Sequence, residues 1–150
     1  MYDFIGYHVR DYMTPQPYTV SPETRLRELQ ALFDQHDFNG VPVVDAQQRL
    51  LGVATKLDLL KAFTFTPQSM LPQYEAIMAH EVAQIMTREP ITVSPDLPLT
   101  RVLQRMVDMR TKSFPVVDEE GRIRGMIARE DLLRALRDAT ASAAPPHPEE

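Results

Sequence analysis

Apolar side chains recur at helical spacing over Leu26, Leu29, Leu32 and Phe33, and again over Leu99, Val102, Leu103 and Met106. Each set draws one apolar stripe along an otherwise polar segment, which predicts an amphipathic helix with that stripe against a core. Ahead of the stripes stand Ser21-Pro22-Glu23 and Ser94-Pro95-Asp96. A capping hydroxyl, a proline and an acid in that order predict a helix start. Behind the stripes come paired β-rich runs, Val41–Asp45 with Leu50–Ala54 and Phe114–Asp118 with Ile123–Ile127. The connectors Ala46–Arg49 and Glu119–Arg122 have hairpin length, and Asp45 and Asp118 suit their turns. A second helix is predicted from about Lys56, carrying Leu59, Leu60 and Phe63, and from about Arg129, carrying Leu132, Leu133 and Leu136. With a first strand of two or three residues at Thr19-Val20 or Thr92-Val93, each stretch reads β-α-β-β-α.

The two stretches are copies. Val9 aligns with Val82, and every residue through Phe63 aligns with one 73 positions later, ending at Leu136, without a gap. Met13-Thr14 meets Met86-Thr87, Thr19–Pro22 meets Thr92–Pro95, Pro42–Asp45 meets Pro115–Asp118, and Asp58–Leu60 meets Asp131–Leu133. A period this long is one supersecondary unit, and such a unit usually needs a neighbour to bury its apolar face. Duplication therefore predicts an α/β fold of two repeats in a pseudo-twofold pair, with equivalent clefts where the copies meet. The expected organisation is an N-terminal segment 1–8, repeat 1 over 9–63, a linker 64–81, repeat 2 over 82–136 and a disordered tail 137–150. In the linker, Pro67 and Pro72 break structure early and Tyr74–Glu81 is expected to turn helical. The tail past Ala139 has little to bury.

Composition narrows the function. The chain has 150 residues, 43% hydrophobic and 25% charged, as expected of a globular domain. It has no cysteine, so disulfide and thiolate chemistry are excluded. The first residues do not read as a signal peptide and no apolar run approaches a membrane span, so a cytoplasmic protein without membrane contact is expected. A net charge of −5 argues against nucleic acid as a partner but leaves room for a small anion held by a few local donors. His8, His36, His80 and His147 lack metal-ligand spacing, so no metal site is expected. No nucleophile elbow, glycine-rich phosphate loop or paired acid and base appears, so no catalytic residue is assigned. Arg49 and Arg122 match across the repeats and read as solvated hairpin residues.

The sharpest chemical signal is Gly52-Val-Ala-Thr55-Lys56-Leu-Asp58, where a strand ends and a helix begins. A hydroxyl at the N-cap, beside unpaired backbone N–H groups, can hold a phosphate. Asp58, near the third helical position, offers two acceptor oxygens suited to a pair of ribose hydroxyls. Gly52 lets the backbone approach a ligand or a neighbouring strand. The plain alternative is that Thr55 and Asp58 form only a capping pair. In the second copy Gly125 and Asp131 persist and Arg129 fills the place of Lys56, while Ala128 has lost the hydroxyl. An acid kept without its capping partner favours a ligand role, although the helix dipole alone could also retain it.

In order, spacing and duplication, the motifs Met-Thr, Thr-Val-Ser-Pro, Pro-Val-Val-Asp and Gly-x-x-Thr-x-x-Asp resemble a tandem pair of cystathionine-β-synthase (CBS) domains, a Bateman module. The resemblance covers Val9 to Leu136. It implies two repeats paired through their sheets, binding an adenosyl nucleotide (AMP, ADP, ATP or S-adenosylmethionine) in the inter-repeat clefts as a regulatory ligand, with no cofactor required. Carried over, Asp58 would hold the ribose and Thr55 a phosphate oxygen, with Lys56 and Gly52 beside them. The backbone of Val41-Pro42 and the segment Pro17-Tyr18-Thr19 would line the base. At the second site Asp131 would take the ribose, and Phe114-Pro115 with Pro90-Ile91-Thr92 the base. Gly125 matches Gly52, and Arg129 stands in for the phosphate contact that Ala128 lacks. The sites are therefore expected to be unequal, the first being the better. The resemblance further implies a non-catalytic sensor that forms a homodimer, as a disc of four repeats, and passes its signal to an unknown effector protein. The alternative is a constitutive dimerisation scaffold with no nucleotide.

Overall fold

The computed structural model describes residues 2–64 and 73–142. The elements, in chain order, are α1 (Tyr2–Ile5), α2 (Val9–Tyr12), β1 (Thr14–Pro15), α3 (Leu26–Gln35), β2 (Gly40–Val44), β3 (Leu50–Thr55), α4 (Lys56–Lys61), α5 (Tyr74–Met78), a 3-10 turn (Val82–Gln84), β4 (Thr87–Arg88), α6 (Leu99–Met109), β5 (Ser113–Val117), β6 (Ile123–Ala128) and α7 (Arg129–Ser142). The fold is α/β. The chain divides into two compact units. One comprises Pro17–Pro90 with Glu120–Ile123, the other Met1–Gln16, Ile91–Glu119 and Arg124–Glu150. These are the first and second units, respectively.

In the first unit β2, β3 and β4 form an antiparallel sheet in that order, with a bulge between Val43 and Val44. The continuous buried run of β2 and the stripe of α3 converge on one core, in which Leu26, Leu29, Phe33, Val41, Val43, Ala54 and Leu59 are buried together. α5 and the 3-10 turn add Met78 and Val82. In the second unit the sheet order is β1-β6-β5, and the core gathers Leu99, Val102, Met106, Phe114, Val116, Ile127 and Leu132 with Phe4 and Val9. The identical or conservatively matched apolar positions of the two copies thus become the two cores, as burial of apolar surface requires.

Three expectations change. The first strand shrinks to one parallel bridge in each unit, Val20 to Val43 and Val93 to Val116. The third strand of each sheet is instead the Met-Thr motif counted with the other copy: Thr14 pairs with Met126, and Thr87 with Val53. The helices also begin later than Ser-Pro suggested. Ser21 closes a turn, its carbonyl accepting from Thr24 N–H at 3.1 Å, and the chain stays extended to Arg25 because Leu26 N–H donates to His80 O and Val82 N–H to Thr24 O. Leu99 and Val9 make the matching bonds to Tyr7 O and Leu97 O. These main-chain bonds replace an early helical turn at no loss of pairing. Finally, α7 runs through Ser142, so residues 137–142 are helix rather than tail; Ala139 is fully buried and anchors the last turns.

The α5 helix lies where the linker was expected to turn helical. Pro67, Pro72 and residues 143–150 lie outside the described residues. Among the described residues no helix is long and apolar enough to cross a membrane, and no cluster of three or more His, Asp or Glu is placed to hold a metal.

Candidate functional site

β3 runs straight into α4, and Thr55 stands at the junction as N-cap, in extended conformation. Its hydroxyl accepts from Asp58 N–H at 3.0 Å, and Asp58 Oδ2 accepts from Thr55 N–H at 3.0 Å. This reciprocal capping box satisfies two helix-end donors. Asp58 is only 7% exposed. Among the described residues its other polar partner is Thr87 on β4, whose Oγ1 lies 3.3 Å from both carboxylate oxygens. A shared bond at that length is weak, and a carboxylate has about four acceptor positions. Asp58 therefore keeps capacity for the two hydroxyls of a diol while still capping its helix.

Gly52 belongs to the strand pairing rather than to an open surface. It is buried beside β4, and a Cβ there would stand 2.5 Å from Thr87 O. Gly125 does the same against Thr14 O at 2.7 Å. Of the two roles open to these glycines, close approach of a neighbouring strand is the one the geometry shows.

The other first-site residues separate by burial. Val41 and Pro42 are core, and Pro42 O already accepts from Val20 N–H at 3.0 Å, so neither side chain lines a surface. Pro17 and Thr19 are half-buried. Tyr18 is 55% exposed and lies in an aromatic cluster, its ring centroid 4.4 Å from that of His36 and 5.6 Å from that of Phe38. Such a cluster offers a flat apolar face to a base; His36 and Phe38 were not expected there. Lys56 turns the other way. It lies over the Phe33 ring, 5.9 Å from the centroid, in a groove between α3 and α4, so it is not placed with Thr55 and Asp58 as the ligand set required.

In the second unit Asp131, also 7% exposed, accepts from Ala128 N–H at 2.8 Å, and its other oxygen lies 3.2 Å from Arg134 Nη1. Arg134 also donates to Tyr12 O and stacks over the Tyr12 ring. Asp131 thus has a main-chain donor on one oxygen and a half-exposed guanidinium beside the other, where Asp58 has the Thr87 hydroxyl. Phe114 and Pro115 are buried, and Pro115 O accepts from Val93 N–H. Ile91 is exposed and Thr92 half-buried, while Pro90 falls in the first unit. Arg129 does not replace the missing hydroxyl. Its Nε donates to Thr111 O and its side chain lines a groove between α6 and α7.

A further groove of about 600 Å³ in the first unit is lined by Thr19, Glu23, Glu28, Asp45 and Gln48 among others. It contains neither Thr55 nor Asp58 and no basic side chain, so it does not suit a phosphate. Asp45 is tied into its turn: its carboxyl is held below the usual range by Arg49 N–H, and also accepts from Gln47 N–H and pairs with the Arg49 guanidinium at 3.1 Å.

The chain belongs to the CBS domain family, whose pattern matches twice, over residues 9–64 and 82–138. A CBS domain-containing protein of Dictyostelium discoideum is 29% identical over 130 residues, covering 85% of this chain and 90% of the relative. The inosine-5'-monophosphate dehydrogenase of Aquifex aeolicus is 28% identical over 123 residues, which span 81% of this chain but only 23% of the dehydrogenase. Two solved structures are similar at 27% identity. CBSX2 in complex with AMP has a TM-score of 0.79, covering 90% of this chain and 99% of that one. The CBS domain pair of MJ0100, in complex with 5'-methylthioadenosine and S-adenosyl-L-methionine, has a TM-score of 0.72, covering 89% and 98%.

Proposed function

We propose that this CBS domain chain is a non-catalytic regulatory module whose first unit binds an adenosyl nucleotide, AMP, ADP, ATP or S-adenosylmethionine. Asp58 takes the ribose hydroxyls, the Thr55 hydroxyl a phosphate oxygen, and the exposed face of Tyr18 the base. The observation that carries this is the buried Asp58 carboxylate, anchored by one main-chain bond and one weak hydroxyl contact, with acceptor positions to spare. The AMP and S-adenosylmethionine complexes of similar structures support the ligand class. The second unit is the weaker site, because Arg134 occupies Asp131. Binding acts by population shift, and the response is bounded by the ligand's differential affinity for two states. Two copies associate through exposed apolar helix faces, and the signal passes to an effector protein in the cytoplasm.

A thermal-shift titration with AMP, ATP and S-adenosylmethionine tests this. A ligand at 100 times its dissociation constant adds about 2.7 kcal/mol of stability. No shift at millimolar concentrations of any of the three would reject nucleotide binding. One observation favours a second reading, a scaffold without nucleotide: the Thr55–Asp58 capping box gives both residues a structural duty of their own. Asp58→Asn separates the two. It keeps an acceptor for Thr55 N–H but loses the charge, so a sensor loses affinity and a scaffold changes little.

A further inference from the structure

Gly52 has no side chain, and β4 uses the space: a Cβ there would stand 2.5 Å from Thr87 O. The strand is held to β3 by two residue pairs, Gly52 with Arg88 and Val53 with Thr87. This approach brings the Thr87 side chain to Asp58, which is buried, whereas both residues of β4 are exposed. Thr87 Oγ1 lies 3.3 Å from each Asp58 oxygen. A point equidistant from both lies on the plane that bisects the carboxylate. A vicinal diol that gives one hydrogen bond to each oxygen centres on the same plane, so the two compete for one place. The threonine has a single proton to divide between two acceptors, whereas a diol brings two. Exchange therefore replaces one long, divided bond with two full ones and returns an exposed hydroxyl to water. An internal donor stands at the matching carboxylate of the second unit as well, Arg134 Nη1 at 3.2 Å from Asp131 Oδ1.

Resting on the nucleotide reading above, we infer that Thr87 is an internal stand-in for the ribose: its hydroxyl holds Asp58 in the ligand-free protein, and the diol of the ligand displaces it. A sugar with a single hydroxyl leaves Thr87 in place and shares the carboxylate with it. Thr87 therefore lowers affinity for an intact ribose and spares a deoxyribose, which narrows the discrimination between them. Displacement also removes the side-chain tether between β4 and α4. The strand is then left on its two main-chain pairs, just before the segment Pro17–Pro90 of the first unit ends.

Isothermal titration of the full chain with AMP and with 2′-deoxy-AMP tests this. An Asp131→Asn parent, which keeps an acceptor for Ala128 N–H, confines the reading to the first unit. Thr87→Val in that parent keeps a β-branched side chain of the same shape at an exposed strand position and removes only the donor. It should bind AMP about two- to fivefold more tightly and 2′-deoxy-AMP as before, so that preference for the intact ribose widens by the same factor. Thr87→Ser keeps the hydroxyl and should match the parent with both nucleotides. Unchanged or weaker binding of AMP by Thr87→Val, or an equal gain for both nucleotides, would overturn the stand-in while leaving the nucleotide site intact. Absence of AMP binding in the parent would reject AMP as the ligand of the first unit, and the inference with it.

Discussion

Arg134 Nη1 lies 3.2 Å from Asp131 Oδ1, one helical turn beyond the carboxylate it neutralises. At the matching place in the first copy, one turn after Asp58, stands Lys61, while the Thr87 hydroxyl is the long-range partner of Asp58. Two aspartates that hold the same motif position and the same burial therefore differ in what a ligand must displace. Arg134 is 44% exposed, so the ion pair that a ligand must displace contributes about 0–1 kcal/mol. Arg134→Met should accordingly raise affinity at the second unit by a few-fold, about fivefold at most. Isothermal titration with AMP would show a second binding event in the variant; an unchanged isotherm would remove Arg134 as the cause of the inequality.

Ala128→Thr should restore the missing half of the second capping box. Asp131 already accepts from residue 128 N–H, so only the hydroxyl for Asp131 N–H is lacking, the bond that measures 3.0 Å between Asp58 and Thr55. An N-cap hydroxyl contributes about 0.5–2 kcal/mol, and about 1 kcal/mol corresponds to roughly 2–4 °C in a chain of this size. Calorimetry should find Tm raised by that order. A fall would show that the site has no room for the hydroxyl.

Gly52→Ala should loosen the attachment of β4. Its Cβ would stand 2.5 Å from Thr87 O and 3.1 Å from Met86 Sδ, and a backbone carbonyl in a sheet yields little. Overpacking of this kind costs about 1–3 kcal/mol. Denaturant unfolding should report that loss. Nucleotide affinity should change with it, because Thr87 moves relative to Asp58. Unchanged stability would mean that β4 is not fixed as the geometry indicates.

Much of this was legible along the chain because the repeat does the work of an alignment. Leu26 and Leu99, Val43 and Val116, and Leu59 and Leu132 are identical or matched, and all are buried. The Thr55–Asp58 pair was legible from capping chemistry alone. The origin of the third strands was not: Thr14–Pro15 and Thr87–Arg88 are two residues each, too short for any period to name a partner. Ser-Pro-acid reads equally as a turn, and only the bonds from Leu26 to His80 and from Leu99 to Tyr7 decide between the two. Lys56 and Arg129 were grouped with the ligand residues by adjacency, but each helical step swings the side chain by about 100°. One step past the cap is enough to put both on the α3/α4 and α6/α7 grooves. The spacing of three between Asp131 and Arg134 did hold a readable signal, since such pairs share a helix face.

The same corner of the second unit should be sensitive to alkali. Tyr12 OH donates to Asp138 Oδ2 at 2.7 Å, and burial, followed by that bond and the negative charge of Asp138, pushes the phenol well above its usual value. A phenol ordinarily ionises near pH 10. With its folded-state value raised, the folded protein holds the proton more tightly than the unfolded chain. The resulting stability is complete below about pH 10 and declines as pH rises toward the folded-state value. The wild-type protein should thus lose stability from about pH 10 upward, in a range where Tyr12→Phe, having no proton to lose there, has the flatter profile. The variant should begin lower at neutral pH, because Asp138 loses its partner, by about 1 kcal/mol. Denaturant melts at a series of alkaline pH values check both features. Parallel profiles for the two proteins would show that the Tyr12–Asp138 bond does not govern the alkaline limb.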